Sequence, residues 1–205
     1  TAPILTVNSP VNQSYVGNKN LPNININTTL SEVGHVTLND SRWTLTTSGF
    51  STSFNFTNNT NLVDGNYDLT VFANDSANNN GSTNINFILD FTDPIATIHF
   101  PTNKTTLSEI TYYNINITLS EVGNVTLNDS RWTLTQNVDS VSFNFTNNTN
   151  LADGNYDLTV YVNDSANNNG TANFNFVKDI TAPILTVNSP VNQSYVGNKN
   201  LPNIN

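Results

Sequence analysis

Apolar side chains recur at every second position along most of this chain. Ile24 and Ile26 alternate with Asn23, Asn25 and Asn27, Val36 and Leu38 with Thr37 and Asn39, and Trp43 and Leu45 with Thr44 and Thr46. Phe54 and Phe56 flank Asn55, the series Tyr67, Leu69, Val71, Ala73 forms a longer row, and Ile85, Phe87 and Leu89 form the last. Such a period-two pattern describes half-buried strands, and no stretch shows the 3.6-residue period of a helix. Turn formers separate the rows: SEVG at 31–34, NDS at 39–41, VDGN at 63–66 and DSANNNG at 75–81. With an opening strand around 5–7, about seven short strands fall within about 90 residues. That spacing predicts an all-β fold of antiparallel β-sandwiches.

The pattern is then repeated. NVTLNDSRWTLT at 124–135 answers HVTLNDSRWTLT at 35–46, and 51 of the 66 positions from Asn25 to Asp90 match their partners 89 residues on. The offset is 91 residues at the start of the unit, where Pro3 answers Pro94. A third level is exact: residues 1–25 and 181–205 are the same string. Self-similarity with a domain-sized period points to an array of beads. The expected organisation is module 1 at 1–91, module 2 at 92–180, and the opening strands of a third module at 181–205. The segment 181–205 can bury little by itself. Module 1 already owns the same segment and lacks no strand that it would supply, so tandem continuation is the simpler expectation and strand exchange between subunits the lesser one.

The residues Leu62-Val63-Asp64-Gly65-Asn66-Tyr67, repeated as Leu151-Ala152-Asp153-Gly154-Asn155-Tyr156, resemble the tyrosine corner of immunoglobulin-like sandwiches, in which a Tyr bonds back to the preceding turn. The stretch from Gly65 to Asn79 is similar to the GxYxLxVxAxDxAGN segment of bacterial and archaeal immunoglobulin-like (Big-type) tandem repeats in surface, adhesin and surface-layer proteins, and residues 1–10 look like their TxPxVTxxSP opening strand. The resemblance covers both modules and implies tandem immunoglobulin-like antiparallel sandwiches of about seven strands each. Asn78 stands where that family often has Gly, an exchange Asn tolerates because it accepts a left-handed backbone. The antibody-type cysteine pair is missing and Trp43 lies one strand later than the usual core Trp, so no close kinship with antibody domains is implied.

Composition narrows the function classes. Asn contributes 42 residues and Ser plus Thr 46, while only 10% of residues are charged. The 11 Phe, 7 Tyr and 2 Trp nonetheless supply a core, which disordered polar chains lack. A net charge of −9 argues against nucleic acid or an anionic membrane as partner. No apolar run reaches the length of a membrane span in this segment. Without cysteine, disulfides and thiolate chemistry are unavailable. Catalysis is not expected: acid–base chemistry needs a positioned titratable group, yet His35 becomes Asn124 in the second copy and His99 answers Asn8.

Three kinds of chemistry can be assigned candidate residues. N-glycosylation sequons occur at Asn12, Asn27, Asn39, Asn55, Asn58, Asn74 and Asn80, at Asn103, Asn116, Asn124, Asn128, Asn144, Asn147, Asn163 and Asn169, and at Asn192. Random placement of this much Asn, Ser and Thr would itself produce many, so position matters more than number. Asn55, Asn116 and Asn144 alternate with inward apolar residues and are expected to face solvent. No cofactor is required, but Ca²⁺ has a candidate place at the module junction. There Asp64, Asp90 and Asp93 of the trailing end should approach Glu121 and Asp164 of the next module, with Asp153 and Asp179 reused at the following junction. These aspartates also have a simpler use, capping turns through their own backbone. Trp43 and Trp132 could form sugar platforms, but they alternate with Leu45 and Leu134 on the expected inner face and read as core. Phe72 and Tyr161 lie on the opposite face and are the candidates for lateral contacts.

The expected function is structural and not enzymatic: a segment of a long extracellular surface protein, a fibre, stalk or surface-layer component extended by module copy number. Its expected partners are copies of itself and covalently attached glycans. The alternatives are an adhesin module binding a glycan or host protein through loops such as 47–51, and a subunit of a strand-exchanged filament. The poor match between 47–50 and 136–139 favours a scaffold, because a shared ligand site should be kept in both copies.

Overall fold

Fifteen strands and no helix make up residues 1–17, 23–47, 49–108 and 113–188, the part of the chain described by this computed structural model. The first copy comprises β1 (Leu5–Ser9), β2 (Ser14–Val16), β3 (Asn25–Leu38), β4 (Trp43–Leu45), β5 (Ser51–Asn58), β6 (Gly65–Asp75) and β7 (Asn80–Leu89). The second comprises β8 (Ala96–Phe100), β9 (Thr105–Leu107), β10 (Asn114–Leu119), β11 (Gly123–Leu127), β12 (Trp132–Val138), β13 (Ser142–Asn147), β14 (Gly154–Asp164) and β15 (Asn169–Lys178). The expected sandwich is therefore present twice.

In the second copy the two layers are separate sheets, β12-β13-β10-β8 and β11-β14-β15-β9. In the first copy one strand belongs to both layers. The early part of β3 pairs with β1 and β5, and its later part with β6. The SEVG segment at 31–34 is thus not a plain turn in the first copy: it is the exposed crossing point where β3 changes partner, marked by a register shift between Thr29 and Gly34. Gly34 permits the crossing, since a Cβ there would lie 2.7 Å from the Asn74 carbonyl oxygen. The equivalent Ser120–Val122 in the second copy interrupts the strand. The sequence pattern also missed β2 and β9, three-residue strands that run parallel to β7 and β15. They are too short to show alternation.

The inward rows form two hydrophobic clusters, one from Ile24 to Leu89 and one from Tyr113 to Phe176. At the centre of the first, Tyr67 stacks on Phe87 with centroids 5.5 Å apart, and Trp43 meets both rings edge-on. Trp132, Tyr156 and Phe176 occupy the matching places in the second. Offset and edge-to-face pairs of this kind add to the burial itself. The tyrosine corner closes in both copies, Tyr67 donating to the Val63 carbonyl and Tyr156 to that of Ala152, each at 2.8 Å. Asn78 and its counterpart Asn167 take the left-handed backbone, with φ of 61° and 65°.

Two positional expectations are corrected. Leu134 is 42% exposed, because β12 shifts register against β13 between Leu134 and Gln136, and the alternation that began at Trp132 ends there. Asn55 and Asn144 are half-buried, each with its Oδ1 enclosed and unpaired, where open solvent was expected. The chain after Trp43 lies across β5: Thr46 donates to the Asn55 carbonyl, and Asn55 N–H donates to Thr47 Oγ1.

Candidate acidic joint between the modules

Each trailing end is fastened by the aspartate of its tyrosine-corner turn. Asp64 accepts the Phe91 N–H at 2.8 Å and the Thr92 hydroxyl at 2.6 Å. Asp153 accepts the Ile180 N–H at 3.0 Å and the Thr181 hydroxyl at 2.6 Å. These bonds, the Thr181 hydroxyl foremost, hold the Asp153 carboxyl below the ordinary range. The residues leaving one sandwich are therefore tied back to it before the next begins. Asp90 N–H donates to the Val16 carbonyl, and Asp179 N–H to that of Leu107, so β2 and β9 anchor the same exits.

The leading end of the second copy is organised by Asp164, which closes β14. It accepts the Ala166 and Asn168 backbone N–H groups and the Asn168 side-chain amide, all at 2.8 Å. The Asn168 amide also donates to the Asp90 carbonyl across the joint. In the first copy Asp75 accepts the same three groups from Ala77 and Asn79, and the Asn79 amide first among them lowers its carboxyl pKa.

Of the five residues proposed for a cation, the fold gathers three. Carboxylate oxygens of Asp90, Glu121 and Asp164 lie within 4.8 Å of one another. Burial, then the charges of Asp90, Asp164, Asp64 and Asp93, push the Glu121 carboxyl up. Asp64, whose oxygens bind the linker, and Asp93 stand outside this group. Hard oxygen donors of this kind match Ca²⁺ chemistry, which wants six or more. Three carboxylates and the neighbouring carbonyls can supply part of that shell.

The sequons divide by how their amides are used. Asn58 and Asn147 use both ends of the amide, Oδ1 accepting the Ile24 and Tyr113 N–H groups and the nitrogen donating to the Thr60 and Thr149 carbonyls. Asn74 and Asn163 donate to Asn80 and Asn169, and Asn169 donates to the Asn167 carbonyl. Asn12, Asn39, Asn103 and Asn128 use Oδ1 as an acceptor for a neighbouring strand, which leaves the nitrogen outside those bonds. Asn27, Asn116 and Asn124 are exposed on outward faces. Asn192 lies outside the described residues. Phe72 and Tyr161 are 47% and 48% exposed on matching outer faces.

Three features went unread in the sequence. Arg42 closes a bidentate pair with Asp40 and places its guanidinium 4.6 Å from the Tyr67 ring centroid, as Arg131 does with Asp129 and Tyr156. The pairing with Arg42 holds the Asp40 carboxyl low and raises the guanidinium. Lys178 is buried where the first copy has Leu89, its ammonium donating to the Leu151 carbonyl. Gly17 packs against Ala166 across the joint. The period-two row Phe174, Phe176, Lys178 carried a legible signal for the lysine, whereas the joint contact depends on how two beads meet.

Among solved structures, the fibronectin(III)-like modules of Clostridium thermocellum CbhA match at 15% identity over 85% of this chain and 94% of that one, with a TM-score of 0.45. The extracellular domain of protocadherin GammaB4 matches at 10% over 85% and 31% (TM-score 0.41), and Drosophila N-cadherin EC1-4 at 16% over 87% and 50% (TM-score 0.34). No curated protein matches the sequence. A family model described as a bacterial Ig-like domain matches residues 8–91, nearly all of the first copy.

Proposed function

We propose that the chain is a segment of a repetitive extracellular surface protein, a fibre, stalk or surface-layer component lengthened by adding modules at 1–91, 92–180 and onward. One observation carries this reading: the aspartate clamp on the departing chain recurs at both trailing ends, Asp64 on Phe91 and Thr92, Asp153 on Ile180 and Thr181. A chain that must hold successive beads in line needs its linkers fastened at every exit. Bacterial Ig-like domains act as structural modules of surface proteins, and among the described residues no helix is long and apolar enough to cross a membrane. Exposed amides at Asn27, Asn116 and Asn124 suit a glycan coat on the outward sheets. The adhesin alternative has less support. The first copy exposes Phe50 beside the His35 ring, whereas the second extends β12 to Val138, so the two copies offer unlike surfaces at the same loop. Imaging isolated surface material by electron microscopy, with an antibody to 35–46, tests the reading: label repeating along filaments supports it, and label confined to a soluble protein overturns it.

The acidic joint belongs to this proposal as a place for Ca²⁺ bound by Asp90, Glu121 and Asp164. Glu121 is raised in the folded chain, so the native state holds its proton more tightly than the unfolded state. Stability at this group is then lost as pH rises from about 4.5 through the raised value. In chelator at neutral pH, Glu121→Gln should stabilise the joint by a few tenths of a kcal/mol, the small value suiting a solvent-screened group. In millimolar Ca²⁺ the order should reverse, since extracellular sites bind at about 0.1–1 mM. Thermal melts of both chains with and without Ca²⁺ decide the matter. Equal melting of wild type in Ca²⁺ and in chelator would remove the cation from the account and leave the array reading intact.

A further inference from the structure

The two leading ends are built alike but differ in what lies against them. In the second copy Ala166 and Asn168 are 5% and 4% exposed, because Gly17 and the Asp90 carbonyl of the first copy press on them. Their counterparts Ala77 and Asn79 keep the same bonds to Asp75, yet Ala77 is exposed and Asn79 only half-buried. The first copy therefore carries the same bonded turn at its leading end, with Ala77 and Asn79 where the second copy has Ala166 and Asn168.

The trailing end of the second copy is the matching half. Asp179 repeats the anchoring of Asp90, Asp153 repeats the clamp of Asp64, and the residues that follow, Thr181 and Pro183, repeat Thr92 and Pro94. One contact position differs. The residue that answers Gly17 is Ser108. At Gly17 a Cβ would sit 2.2 Å from the Ala166 carbonyl oxygen and 2.6 Å from the Ala166 Cβ, far inside contact distance and against backbone. A serine cannot occupy that geometry. The acidic linker residue Asp93 also becomes Ala182, which removes one of the charges around Glu121.

We propose that the face formed by Glu32, Asp75, Ala77 and Asn79 receives the trailing end of module 2 from another copy of the 180-residue unit, and that Ser108 holds this joint more open than the one between modules 1 and 2. Close and open joints then alternate, which makes the two-module pair the stiff segment and the unit boundary the articulation. The inference rests on the array reading, but its test does not.

The chain has no cysteine, so spin labels can be placed at will. Labels at Asn61→Cys and Asn150→Cys report the first joint within the 205-residue chain. In a tandem of two units, labels at Asn150→Cys of the first unit and Asn61→Cys of the second report the boundary. The expected result is a narrow distance distribution at the first joint and a distribution roughly twofold broader at the boundary. Gly17→Ser should broaden the first, and Ser108→Gly should narrow the second. Amide exchange at 77–79 of the second unit should slow relative to the first. Equal widths with no response to either substitution would overturn the inference, as would unchanged exchange at 77–79, which would mean that nothing docks there. In either case filament imaging still judges the array reading separately.

Discussion

Phe87→Ala should strongly destabilise the first sandwich and leave the second unchanged. Phe87 has no exposed surface, is stacked on Tyr67 and is met edge-on by Trp43. Truncating a buried Phe to Ala costs about 3–5 kcal/mol, against a total stability of about 5–15 kcal/mol for a domain of ordinary size. Each copy carries a single tryptophan, Trp43 or Trp132, so fluorescence of Trp→Phe partners reads the copies separately. The Trp43 transition should fall sharply or vanish while the Trp132 transition keeps its midpoint. The two hydrophobic clusters share no residue, which is the physical ground for expecting this independence. Loss of both transitions together would mean that the copies fold as one unit.

Lys178→Leu should raise the stability of the second sandwich. Lys178 is 4% exposed at the end of an inward row, and its ammonium donates to one carbonyl, that of Leu151. Burying a charge costs free energy that one neutral acceptor recovers only in part. The first copy shows that the site accepts leucine, since Leu89 is completely buried there. We expect a gain of about 1–3 kcal/mol, equivalent to a rise of roughly 4–24 °C in the Trp132 melting midpoint. The reciprocal Leu89→Lys should lower the first midpoint by a comparable amount. A fall on Lys178→Leu would show that the ammonium makes a net stabilising contribution, with Asp153, whose carboxyl it helps to hold low, as the partner to test next.

Much of the fold was legible because burial here follows a period of two. Phe54, Tyr67, Leu69, Val71, Ile85 and Phe87 were placed inward by alternation, and all are buried. The tyrosine corner and the left-handed Asn78 were legible because each depends on a short local segment. What escaped depends on strands meeting at a distance. The crossing within β3 is set by which neighbour each half finds, Leu134 turned outward because β12 slips against β13, and Asn55 is enclosed by a chain segment laid over it. For the joint, aspartates near turns suggested which residues would gather. The division of labour needed coordinates: Asp64 ties the linker, Asn168 bridges to Asp90, and Gly17 admits the close approach.

The proposed function makes this chain a string of immunoglobulin-like beads set in line along an extracellular filament. Cryo-electron tomography of the intact surface is the decisive test. Strands of this length with their loops advance a chain by about 35–45 Å per bead, so filaments should show beads at that spacing with a weaker doubled repeat from the alternating copies. Smooth filaments lacking that periodicity, or antibody to residues 35–46 found away from any filament, would contradict it.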